Sequence, residues 1–119
     1  VTVLTSMDDD DLAAVGQLPP ATEQVVRLAR LTQDHGLDGV VCSPAEIAPI
    51  RAACGPDFKL VVPGIRPDWA ASGDQKRITT PLQARERGAD LLVIGRPITG
   101  AEDPAAAAAR ITTELGLIR

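Results

Sequence analysis

The sequence predicts a parallel α/β protein, about half of an eight-stranded (β/α)8 TIM barrel, on three observations. Four short apolar runs recur along its 119 residues. They are β-branched and continuous rather than alternating, the pattern of strands buried on both faces. Between them lie helical stretches punctuated by capping residues, glycine and proline. A closed barrel takes about 250 residues, so four βα units make about half of one. A small open sheet of the flavodoxin type is the alternative.

The first run is VTVLT, Val1 to Thr5. The DDDD that follows, Asp8 to Asp11, reads as a solvated turn and helix start, because adjacent carboxylates do not converge on one metal ion without spacing. After Pro19-Pro20, Val25, Leu28, Ala29 and Thr32 share one helical face and Gly36 ends the helix. His35, just before that glycine, has a capping role. GVVC (39–42) is the second run; Ser43-Pro44-Ala45-Glu46 then reads as a capping box with proline at the first helical position. KLVVPG (59–64) is the third run, and a loop of about fifteen residues leads from it to a second capping box, Thr80-Pro81-Leu82-Gln83, with a stop at Gly88. DLLVIG (90–95) is the fourth, followed by a helix from Asp103-Pro104 with Ala107, Ala108, Ile111 and Leu115 inward. No linker interrupts this order, so residues 1–119 read as a single domain. Four such strands alone leave two open edges, so the chain is expected to be stable only beside another four βα units.

Composition narrows the function. Apolar residues make up 45%, the mark of a globular chain, and no apolar run approaches the length of a membrane span. The N-terminus lacks a basic leader and reads as neither a signal peptide nor a natural start, but as a cut or processed chain. Net charge is −4, with no basic stripe, and Phe58 and Trp69 are the large aromatics, which argues against nucleic-acid binding. Cys42 and Cys54 lack metal or redox spacing and read as reduced thiols of a cytoplasmic protein.

In parallel α/β folds ligands bind beyond the C-terminal ends of the strands. Gly95-Arg96 stands in that position: glycine admits an anion close to the backbone and arginine makes paired hydrogen bonds to phosphate oxygens. Arg66 follows the neighbouring run and would face Arg96 across one anion, with the uncharged amide of Gln75 closing over it. Loops longer than about a dozen residues are commonly functional, which favours this reading of Arg66. The competing readings are a rim Arg96 paired with Asp90 or Glu102, a solvated Gln75, and Thr5 and Ser6 as ordinary strand-end hydroxyls. Lys76 and Arg77 read as surface residues. No general base, nucleophile pair or metal set appears among the strand ends, so no catalytic residue is assigned in this chain.

LTSM (4–7), PGIRP (63–67), GDQKR (73–77), Thr80-Pro81, GAD (88–90) and VIGRPIT (93–99) together resemble, in order and spacing, the C-terminal half of bacterial orotidine 5′-phosphate decarboxylases. The resemblance covers essentially the whole chain. It implies a homodimeric barrel enzyme of pyrimidine biosynthesis that converts orotidine 5′-monophosphate to UMP without metal or organic cofactor. It implies that Arg66, Gln75, Gly95 and Arg96 bind the 5′-phosphate, that Thr5 and its weaker neighbour Ser6 contact the pyrimidine, and that Pro63 and Gly64 line the wall beside the base. The family's Asp-x-Lys-x-x-Asp array has no match here. The chain alone is therefore expected to be inactive, its partner being the N-terminal half-barrel. Other phosphate-binding barrel lyases and epimerases, a non-catalytic receiver-like open α/β module, and a purely structural half-barrel are the competing readings.

Overall fold

A computed structural model describes residues 1–70 and 78–117. Three parallel strands, β1 (Gly39–Val41), β2 (Lys59–Val62) and β3 (Leu91–Leu92), form one sheet in sequence order. Parallel neighbours need a crossover connection, and the helices provide it. Helices α1 (Asp9–Ala14) and α2 (Ala21–Asp34) precede β1. A 3₁₀ turn (Pro44–Glu46) leading into α3 (Ile47–Cys54) joins β1 to β2, and α4 (Pro81–Arg87) precedes β3. Two helices follow: the short α5 (Arg96–Thr99) and α6 (Pro104–Glu114). The core gathers Leu12, Val25, Ile47, Ile50, Leu60 and Val62 from both sheet and helices.

The cap signals form as the side chains demand. The Asp8 carboxylate accepts from the Asp11 N–H at 2.9 Å, and Asp11 returns the bond at 3.0 Å, so the acidic run starts α1. The Glu46 carboxylate accepts from the Ser43 N–H at 2.6 Å within its own capping box. Thr80 and Gln83 cap α4 reciprocally, and Gly88 ends it at φ 111°, a left-handed conformation that favours glycine. Asp103 caps α6 through the Ala106 N–H.

The expected strand at Val1–Thr5 does not form. The Thr2 N–H and hydroxyl both donate to one acceptor, the Val41 carbonyl, at 3.3 and 2.6 Å. The Met7 N–H then donates to the Leu4 carbonyl at 3.0 Å, turning the chain away before a ladder can extend. Val3 alone of these residues is buried. Helix α5 is the second departure: the residues after the fourth run form a helical turn rather than a simple loop. At the other end of the sheet, β3 exposes Leu91 (58%), and the following Val93 is 49% exposed.

Gly39 of β1 pairs with Lys59 of β2 and leaves no room for a side chain between them. A Cβ added there would lie 2.1 Å from the Lys59 carbonyl oxygen. Gly39→Ala therefore has to separate the two strands, and we expect a loss of about 3 kcal/mol, read as a lower urea midpoint at unchanged m-value.

Candidate functional site: a cationic cleft beyond β2 and β3

Both strands end in glycine-containing turns that lead to an arginine. After β2 the chain passes Pro63 and Gly64 (φ 75°) to Arg66. The Arg66 N–H donates to the Thr79 carbonyl at 3.0 Å, and Ile65 pairs with Thr79 in a parallel bridge. The stretch between Arg66 and Thr79 thus has its two ends tied side by side. After β3 the chain passes exposed Gly95 to Arg96, the first residue of α5, whose turn closes through Ile98 and Thr99 N–H groups onto the Gly95 carbonyl.

Arg66 and Arg96 line one cleft of about 470 Å³, with Trp69, Ala70, Pro97, Gly100 and Ala101. Arg66 is buried at 9% exposure; Arg96 is exposed. The competing placement of Arg96 on Asp90 or Glu102 does not occur among the described residues. Asp90 pairs instead with Arg51 at 2.6 Å and Lys59 at 3.6 Å. Two guanidinium groups at one cleft, one of them desolvated, suit a multiply charged oxyanion.

The remaining candidates divide plainly. Gly95 adjoins the cleft as the residue preceding α5. Thr5, Ser6, Pro63 and Gly64 are not among its lining residues; Thr5 and Ser6 are exposed, and Pro63 is half-buried just past β2. Gln75 lies outside the described residues, as do Lys76 and Arg77. Trp69 is the cleft residue that the site reading of the sequence passes over. Its signal is position: an aromatic three residues past Arg66 in a chain with one tryptophan.

The rest of the described surface offers no rival chemistry. A second cavity of about 360 Å³ between β3 and α6 is walled by residues such as Leu91, Leu92, Ile94, Ile111 and Leu115 and gathers few polar groups. Burial pushes the Cys42 thiol up to about 12, with the Glu46 carboxylate adding to it and Arg51 opposing it. Burial likewise raises Cys54, so both thiols stay protonated and poorly nucleophilic at neutral pH. Among the described residues no three His, Cys, Asp or Glu side chains gather as a metal site, and no helix is long and apolar enough to cross a membrane.

Fold and cleft together define a parallel α/β protein with a cationic cleft beyond the C-terminal ends of its strands. A sequence profile described as the orotidine 5′-phosphate decarboxylase / HUMPS family matches residues 1–111. The chain belongs to that family. An orotidine 5′-phosphate decarboxylase of Paramagnetospirillum magneticum is 62% identical over 117 residues, 98% of this chain and 50% of the relative. One of Rhodospirillum rubrum is 60% identical over 115 residues, 97% of this chain and 47% of the relative. The crystal structure of orotidine 5′-phosphate decarboxylase from Lactobacillus acidophilus superposes with a TM-score of 0.81 at 42% identity, covering 96% of this chain and 46% of that one. An uncharacterized conserved protein from Geobacillus kaustophilus gives 0.77 at 37% identity, covering 96% of this chain and 46% of that one. The chain thus spans about half the length of the curated relatives it matches.

Proposed function

We propose that this chain is the phosphate- and pyrimidine-binding half of an orotidine 5′-phosphate decarboxylase, a cytoplasmic carboxy-lyase that releases CO2 from orotidine 5′-monophosphate to give UMP. The observation that carries the reading is the shared cleft of Arg66 and Arg96 beyond adjacent parallel strands. The named relatives support the choice of substrate.

In this reading Arg66 and Arg96 hold the 5′-phosphate, with the backbone at Gly95 and the amide of Gln75. Thr5, with Ser6 beside it, meets the pyrimidine, and Pro63 and Gly64 flank the base. No catalytic group is assigned to this chain. Loss of CO2 leaves an electron pair at C6, and a lysine of an Asp-x-Lys-x-x-Asp array in the N-terminal half delivers the proton there. One aspartate of that array comes from a second subunit, so the working enzyme is a homodimer, and it uses no metal or organic cofactor. The exposed β3 edge and the apolar cavity beside it support a complementary half-barrel as cover. Residues 1–119 are then the C-terminal half of one barrel domain and inactive alone.

The phosphate lies far from the reacting carbon. Its binding energy can still favour the transition state by holding the site assembled and dry. The experiment is substrate truncation in the full-length protein. Gln75→Ala should reduce kcat/KM for orotidine 5′-monophosphate at least about ten-fold, while leaving the rate with orotidine, which lacks the phosphate, nearly unchanged. Equal losses on both substrates would remove Gln75 from the phosphate site. Titration with UMP against a pentulose phosphate separates this reading from other phosphate-binding barrels.

A further inference from the structure

The cleft has a wall that the phosphate reading does not explain. Trp69 lines it beside Arg66 and Arg96, yet its indole Nε1–H is buried with no hydrogen-bond partner among the described residues. A buried unpaired donor favours any motion that returns it to water. Something must hold the ring in place. The Arg110 guanidinium carbon lies 4.5 Å from the ring centroid, stacked on the indole. Arg110 belongs to α6, outside the strand-end turns that carry Arg66 and Arg96.

We propose that Arg110 is a positioning residue for the anion cleft. It clamps Trp69 by a cation–π contact, and Trp69 in turn keeps the wall beside Arg66 and Arg96 closed to water. An aromatic wall lowers the local dielectric and so strengthens the attraction of both guanidinium groups for a dianion. Arg110 acts through the ring and does not touch the ligand. Removing its charge frees the indole to rotate and hydrate its N–H, which opens the cleft on that side.

This inference rests on the phosphate reading of the cleft, and its test keeps the two apart. UMP and uridine are titrated calorimetrically into the full-length protein and into Arg110→Gln, Arg110→Lys and Trp69→Ala. Arg110→Gln is expected to weaken UMP binding about five-fold and leave uridine binding unchanged, with Lys restoring most of the loss because it keeps a cation over the ring. Trp69→Ala should weaken UMP binding similarly, and adding Arg110→Gln to it should cost nothing further. The fluorescence difference between the wild type and Trp69→Phe isolates the Trp69 signal, and that signal should shift toward hydrated emission in Arg110→Gln. UMP affinity unchanged in Arg110→Gln, or reduced equally for UMP and uridine, would overturn the clamp while the phosphate site stands. A wild-type protein that binds UMP no better than uridine would overturn the phosphate reading and the clamp with it.

Discussion

Arg96→Ala in the full-length protein is expected to weaken UMP binding by about a hundred-fold while leaving the fold intact. Arg96 is exposed and makes no salt bridge within the described structure, so its removal orphans no buried charge. What is lost is a charge-assisted hydrogen-bond pair to phosphate, about 1.5–3 kcal/mol. Arg66→Ala removes the other half of the grip from a buried position, so it should lower stability as well as affinity. If both groups hold one phosphate, as proposed, the double variant should lose less than the sum of the two. The pH dependence adds a second readout. A phosphate monoester gains its second negative charge near pH 6. Wild-type affinity should therefore rise as pH passes upward through about 6, and Arg96→Ala should flatten that rise. Calorimetric titration from pH 5 to 8 measures both effects. An Arg96→Ala protein that keeps wild-type affinity would show that the two arginines do not share an anion.

A large stability effect is expected at the opposite end of the strands. One guanidinium, Arg51, donates to the carbonyls of Gly55, Pro56, Phe58 and Gly88 and to the Asp90 carboxylate at 2.6 Å. Asp90 also accepts from the Leu60 N–H at 2.9 Å, so this cluster joins α3, β2 and the residue preceding β3. Arg51→Ala removes the shared donor of four carbonyls and takes the guanidinium from Asp90, which keeps the Leu60 N–H and Lys59. We expect a loss of about 2–4 kcal/mol, discounted from the fully buried case because the two side chains are 20% and 26% exposed. Chemical denaturation checks it, and a loss below about 1 kcal/mol would mean that water replaces the arginine.

The same cluster sets an acid limit. Burial pulls the Asp90 carboxyl upward, but the Leu60 N–H, the Arg51 guanidinium and the Lys59 ammonium outweigh it and hold it below its usual 3.8. A depressed folded value stabilises the protein at pH above the unfolded value. That contribution fades as pH falls below about 4 and through the folded value. Asp90→Asn should remove this part of the acid dependence while lowering stability at neutral pH.

The local parts of this molecule were legible in its sequence. Asp8–Asp11, Ser43–Glu46 and Thr80–Gln83 close bonds across three residues, so residue type and spacing suffice to find them. The pair Arg66 and Arg96 was legible for a different reason: each follows an apolar run, and parallel strands put their C-terminal ends together. Arg51 was not legible, because its acceptor Asp90 lies 39 residues away and nothing local marks the pairing. Val1–Thr5 misled because its β-branched pattern is that of a strand, whereas the hydrogen bonds of Thr2 and Met7 turn the backbone aside. Trp69 needed coordinates, since a lone aromatic in a loop reads equally as surface or wall.

The pairing of Val62 with Leu92 fixes one more property. Arg66 lies four residues beyond Val62 (66 − 62) and Arg96 four beyond Leu92 (96 − 92), so hydrogen-bonded backbones act as a ruler that levels the two positive tips. A single residue gained or lost between the paired residues and either tip would misalign the tips by about 3.3 Å, the rise of one extended residue, and would also shift Ile65 or Ile94 out of its place at the core. Changes of length are thus tolerated only beyond the tips, where no paired backbone has to stay level.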